Sequence, residues 1–111
     1  MSRPQDLLQG TLDLLILKIL ALEPQHGWAI GQRLRQMSGD TLQVSEGSLY
    51  PALHKLEHSG LIRAEWRATE NNRRAKFYKL TPLGEDRLAD EAANWERLSS
   101  AITLIVRAVE G

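Results

Sequence analysis

Hydroxyls, an imidazole and an ammonium crowd into one stretch of the chain between Val44 and Gly60: Ser45, Ser48, Tyr50, His54 and Lys55, with Pro51 among them. The hydroxyls and the ammonium suit phosphate oxygens. His54 can hydrogen-bond a base edge in a major groove, and Pro51 can lie against a thymine methyl. Further along, Arg73, Arg74 and Lys76 follow a polar run and add three cations within four residues. Other chemistries find less support. His54 and His58 stand four apart with Glu57 beside them, a spacing that can hold zinc, but the His-Glu-x-x-His order is missing and no third ligand is evident. No nucleophile stands with a base and an orienting partner, and no glycine-rich phosphate loop occurs, so no enzyme, cofactor or metal site is expected.

A helix is needed to present the first group. Ser45 can accept a bond from the free N–H groups that open a helix, and Gly60 can take the left-handed conformation that closes one. Between them Leu49, Leu53 and Leu56 recur at spacings of four and three, a narrow apolar stripe that must pack on something. Gly47, Tyr50, Pro51, His54 and His58 project roughly opposite, flanked by Ser48 and Lys55, while Glu57 falls off that face and is expected to be structural. Pro51 forfeits a bond to Gly47, but within the first turns, where the usual cost of ~3 kcal/mol is partly relieved. The free N-terminal end of such a helix could offer its dipole and N–H groups to phosphates; the alternative is a packing helix with a solvated face.

The neighbouring stretches must hold that helix in place. From Leu7 to Leu22, 11 of 16 residues are apolar, so this helix is expected to bury one face on its own core and another, through Leu15 and Ile19, against a second subunit. Met1 to Asp6 lacks a pattern and is expected to fray. Glu23 to Gly27 reads as a connection and Trp28 to Met37 as a second helix, stopped by Ser38-Gly39-Asp40. With the capped helix it outlines a helix-turn-helix.

After Gly60 the period becomes two. Ile62, Ala64 and Trp66 alternate with Arg63, Glu65 and Arg67 as the inward face of a strand, and Ala75 to Leu80 returns with Tyr78 and Leu80 inward. The tip between them is Asn71-Asn72-Arg73-Arg74, with asparagines that tolerate tight turns. Thr81 and Pro82 then open a last helix as cap and first residue, although Gly84 weakens its first turn. Along it Leu88, Ala92, Trp95, Ser99, Ile102, Val106 and Val109 are spaced alternately by four and three, a heptad seam widened by Leu98 and Ile105. Such a seam calls for a second chain. Packing back on the Leu7–Leu22 helix is the alternative, and the two can coexist.

A length of 111 residues fits one domain, and the absence of cysteine excludes disulfides and thiolate metal sites while permitting a cytoplasmic location. Leu12 to Leu22 is interrupted by Asp13 and Lys18 and falls short of the ~20 residues that span a bilayer, so neither membrane anchor nor signal peptide is expected. The net charge of zero hides an uneven distribution. Residues 68–80 carry four basic residues and one acid, while residues 81–111 carry three and six, and it is the local potential that steers a polyanion.

The chain resembles the PadR family of bacterial transcriptional regulators over nearly its whole length. The most specific piece is Gly47-Ser48-Leu49-Tyr50-Pro51-Ala52-Leu53-His54-Lys55-Leu56-Glu57, followed by Gly60; Pro24-x-His26-Gly27, Trp66, Arg73-Arg74-x-Lys76-x-Tyr78 and Leu80-Thr81-x-x-Gly84 support it. Trp28 departs from the tyrosine usual after His-Gly. The single C-terminal helix resembles the shorter branch of the family. The resemblance implies a dimeric winged-helix repressor whose C-terminal helix exchanges contacts with the partner's first helix.

The expected fold is therefore mostly α with a small β-hairpin: a winged helix-turn-helix over residues 1–81 and a C-terminal dimerisation helix over 82–111. The expected partner is double-stranded DNA, bound as a homodimer on a palindromic operator through Ser45, Ser48, Tyr50, Pro51, His54, Lys55, Arg73, Arg74 and Lys76. The expected dimer interface comprises Leu15, Ile19, Leu88, Ala92, Trp95, Leu98, Ile102, Ile105 and Val109. Trp95, mid-seam, either packs or stacks a flat aromatic effector. The rival reading is a winged-helix protein-interaction adaptor that ignores DNA.

Overall fold

Helix α1 (Pro4–Leu22) runs through the middle of the domain, touching α2 (Gly27–Met37), α3 (Glu46–His58), β3 (Arg74–Leu80) and α4 (Pro82–Val106). Two further strands, β1 (Gln25–His26) and β2 (Ile62–Ala68), complete the fold. The computed structural model describes residues 4–109, with side chains from Thr11 onward. The helix begins at Pro4, three residues before the apolar run, because a proline at the first helical position has no N–H to leave unpaired. Pro4 to Asp6, expected to lack a pattern, are thus part of the helix, and Met1 to Arg3 lie outside the described residues.

Leu12, Ile16, Leu17, Ile19 and Leu20 of α1 meet Ile30 and Leu34 of α2, Leu49, Leu53 and Leu56 of α3, and Leu61, Ile62 and Tyr78 of the sheet region in one core. The domain thus covers Leu12, Ile16, Leu17, Ile19 and Leu20 of α1 by itself, while Leu14 stays half-buried and Leu22 exposed. Ile19 is only 4% exposed and belongs to this core, so little of it is left for a partner to touch. Leu15 is half-buried beside the core. The covering is possible because helices and sheet approach α1 from several sides.

Local sequence explains each boundary. Ala29 N–H donates to Nδ1 of His26, capping α2, and Ser48 N–H donates to Oγ of Ser45 at 3.2 Å, capping α3. At the end of α3, Gly60 takes a φ of 77°, and the N–H groups of Gly60 and Leu61 donate back to Glu57 and Leu56, so the helix closes where the glycine stands.

The sheet is antiparallel, in the order β1-β3-β2. The stretch Glu23 to Gly27, expected as a plain connection, supplies the third strand, with Gln25 and His26 opposite Tyr78 and Phe77. Two residues are too few to show alternation. In the hairpin, Ile62 faces Leu80, Ala64 faces Tyr78 and Trp66 faces Lys76 on one side of the sheet. Burial fades along this row. Ile62 and Tyr78 are buried, but Trp66, expected inward, is 59% exposed, because the hairpin runs on past the core. Its tip turns through Asn72 at φ 61°, with Thr69 N–H donating to the carbonyl of Arg73.

Thr81 caps α4 by accepting from Gly84 N–H at 3.0 Å, and its hydroxyl lies 2.7 Å from the carbonyl of Gly60. A side chain at position 84 would put its Cβ 2.0 Å from the carbonyl oxygen of Leu61, so the glycine that weakens the first turn is what lets α4 seat there. Leu88 packs on the core, and beyond it most side chains of α4 are exposed, in a molecule of 65 × 28 × 21 Å. Val109, expected in the seam, lies past the helix end: Arg107 still bonds to Thr103, but Ala108 bonds to Ile105, a tighter turn that stops the ladder. No described helix is long and apolar enough to cross a membrane.

Candidate nucleic-acid interface

The apolar stripe of α3 turns the opposite side of that helix outward, next to the hairpin. Between the two lies a cleft lined by Tyr50 and His54 of α3, Trp28 of α2, and Trp66, Arg73, Arg74 and Lys76 of the hairpin. His54, Arg73 and Arg74 are exposed, and Tyr50 is half-buried against the start of α2. The guanidinium of Arg74 stands 5.6 Å over the ring of Trp66, which holds a cation at the cleft edge. A second groove, between α2 and α3, is lined by Trp28, Gln32, Arg35, Gln43, Glu46 and Tyr50. Trp28 and Tyr50 therefore border both.

The expected contacts divide into those that share the cleft and those that do not. Tyr50, His54, Arg73, Arg74 and Lys76 come together there. Ser45, Ser48 and Pro51 sit at the N-terminal end of α3, where the hydroxyl of Ser45 is engaged as the cap and reaches Oγ of Ser48 at 3.3 Å. Lys55 is carried round toward α1, its ammonium 2.6 Å from the carboxylate of Asp13. Lys76 enters the cleft wall but turns to Glu57, at 3.3 Å, and lies over the ring of Tyr78. On the outer face of the hairpin, Glu65 takes a hydrogen bond from Arg67 at 2.6 Å. That bond, the charge of Arg67 and the nearby Lys79 hold its carboxyl below the ordinary range. Among the described residues, His54 and His58 gain no further acid or imidazole with which to hold a metal ion.

Sequence reasoning missed His26 and undervalued Trp28. His26 caps α2 while its ring meets Phe77 edge-on at 5.4 Å and stacks with Trp28 at 6.1 Å, so one side chain ties helix, sheet and cleft together. Trp28 is 61% exposed, although it was counted with the apolar residues of its helix. A signal was available: at about 100° per residue Trp28 falls about 200° from buried Ile30, on the side away from the core. On α4, Trp95, Leu98, Ile102 and Ile105 are all exposed, the first by 44% and the last by 76%.

The same architecture recurs in known proteins. A transcriptional regulator from Clostridium thermocellum, 26% identical, superposes with a TM-score of 0.83 over 92% of this chain and 99% of that one. A PadR-like transcriptional regulator from Bacillus cereus, also 26% identical, gives 0.83 over 94% and 99%. A transcriptional regulator of Mycobacterium tuberculosis is 34% identical over 68 residues, which are 61% of this chain and 63% of that protein. The sequence profile of the transcriptional regulator PadR-like family matches residues 16–90, which hold the helix-turn-helix, the hairpin and the start of α4. With the family profile matched over more than half its length, and the fold shared over more than nine-tenths of it with solved regulators, this chain belongs to the PadR-like family of transcriptional regulators.

Proposed function

We propose that the chain represses transcription by binding a palindromic operator as a homodimer in the cytoplasm. The observation that carries this reading is the shared cleft: Tyr50 and His54 of the helix and Arg73 and Arg74 of the hairpin open onto the same surface, where one duplex can meet both. Residues 1–81 form the reading head. In it Pro51 and His54 enter the major groove, Ser45, Ser48 and Tyr50 meet the backbone, and Arg73 and Arg74 follow the phosphates or the adjacent minor groove. Lys55 reaches the backbone if a phosphate displaces Asp13, a half-buried carboxylate whose pairing with the exposed ammonium is weak.

Residues 82–111 pair two such heads. Support for the pairing comes from Trp95, Leu98, Ile102 and Ile105, whose exposure leaves an apolar face that a second α4 or the partner's α1 can cover. Half-sites then lie about one helical turn apart. A flat aromatic effector stacked against Trp95 would change the angle between the heads and release the DNA.

Selection of bound sequences from random duplexes, followed by titration of the winner, tests this reading. A palindromic consensus bound by two chains supports it. No enrichment, with no shift of the DNA upstream of its own gene at low salt and low micromolar protein, favours the protein-interaction adaptor built on the same fold.

A further inference from the structure

Glu57 was set aside as structural, yet it projects from the last turns of α3 toward the hairpin and meets Lys76 there, at 3.3 Å between Oε1 and Nζ. We propose that Glu57 is a positioning residue for DNA recognition, a brace that holds Lys76 and so fixes the distance between the reading helix and the arginine-bearing hairpin tip. The proposal rests on the DNA-binding reading above.

Three observations carry it. Lys76 has a built seat: its ammonium stands 5.4 Å over the ring of Tyr78, a residue only 3% exposed, with the carboxylate of Glu57 alongside. Burial draws the ammonium's pKa down, but Tyr78 and Glu57 outweigh it and hold the group above the ordinary lysine value, so it stays charged in the brace. The hairpin beyond this point has little else to lean on. Tyr78 is the last buried residue of β3 toward the tip, and Trp66, across from Lys76, is mostly exposed. The Glu57–Lys76 pair is thus a lateral tie from α3 to the outer half of the hairpin, and Arg73 lies three residues farther out, on the order of 10 Å. A small rotation at Lys76 moves the arginines by more. Pairs this exposed add little to global stability, so breaking the tie loosens the hairpin without unfolding the domain.

The test uses the full chain with Glu57→Gln, Lys76→Gln, the double variant and Lys76→Arg. Hydrogen exchange of amides 66–76 is followed without DNA, and affinity for the selected duplex is followed against salt. The brace predicts faster hairpin exchange in both single Gln variants with α1 unchanged, and affinity lowered roughly three- to tenfold in each. It also predicts a double variant no worse than either single, an unchanged salt slope, and recovery with Lys76→Arg. A slope reduced by about one unit in Lys76→Gln would make that lysine a phosphate contact instead. Tighter binding by Glu57→Gln would make Glu57 a mere repeller of DNA, and unaltered hairpin exchange would remove the brace altogether. If the wild-type chain binds no duplex, the DNA reading falls alone, because the exchange measurement still decides whether the brace exists.

Discussion

Tyr50 lies against Gly27 so closely that a Cβ on the glycine would stand 2.8 Å from Cε1 of the tyrosine ring. The absent side chain at the start of α2 thus decides where the phenol of α3 rests, at the border of both grooves. Replacing Gly27 with Ala forces the ring outward. A ring can swing, so the cost to stability is about 1 kcal/mol or less. Its hydroxyl, however, loses its place, and a lost hydrogen bond to phosphate corresponds to roughly tenfold in affinity. Thermal melts paired with anisotropy titrations check this; undiminished affinity would strike Tyr50 from the contacts.

Arg73 stands at the tip of the hairpin, exposed, with its backbone rather than its side chain fixed by Thr69. Arg73→Ala is expected to weaken binding to all sequences alike and to reduce the slope of log affinity against log salt by up to about one unit, as loss of one phosphate contact requires. An unaltered slope would mean that the tip stays in solvent when DNA is bound.

Gly84 differs from Gly27 in what its missing Cβ would strike. The obstacle is the carbonyl oxygen of Leu61, at 2.0 Å, with Cδ1 of Leu80 at 2.7 Å, and backbone cannot step aside as a ring does. Gly84→Ala therefore has to lift α4 off the sheet, which also strains the cap that Thr81 provides. The expected loss is about 3 kcal/mol, at the upper end for an overpacked site. A denaturant titration reads it directly, and a loss below about 1 kcal/mol would show that the helix reseats freely.

The contrast between these two glycines also marks how far the sequence could be read. Caps and stops were legible because they depend on neighbours: Ser45, Gly60, Thr81 and Pro82 bound their helices as their types dictate. So was the stripe of Leu49, Leu53 and Leu56, since periodicity is local. What could not be read depends on residues far apart in the chain. The pairing of Gln25 and His26 with β3 leaves no period in two residues, and the exposure of Trp66 depends on where the core ends. Lys55 and Lys76 were assigned to DNA by charge and position, and the carboxylates they meet, 42 and 19 residues away, could not be read. The burial of Ile19 is the same lesson with an apolar residue, because its cover comes from distant elements that close round α1.

Along the outer half of α4 the apolar side chains are left largely uncovered among the described residues. Ile102 is 48% exposed, and Leu98 and Ile105 beside it are exposed by 55% and 76%. Burying an isoleucine of this kind is favourable by roughly 1.5–3 kcal/mol, and a seam multiplies that over both chains. A carboxylate at the same place has to be desolvated against its symmetry mate, which costs more than the seam can return. Ile102→Glu is therefore expected to leave the reading head folded, since it lies far from the core, and to shift sedimentation from dimer to monomer. A single head engages one half-site, so affinity for the palindrome falls ~100-fold or more while affinity for an isolated half-site holds. Retention of the dimer would mean that α4 pairs through another face. Loss of half-site binding as well would mean that α4 helps to build the head it was thought only to carry.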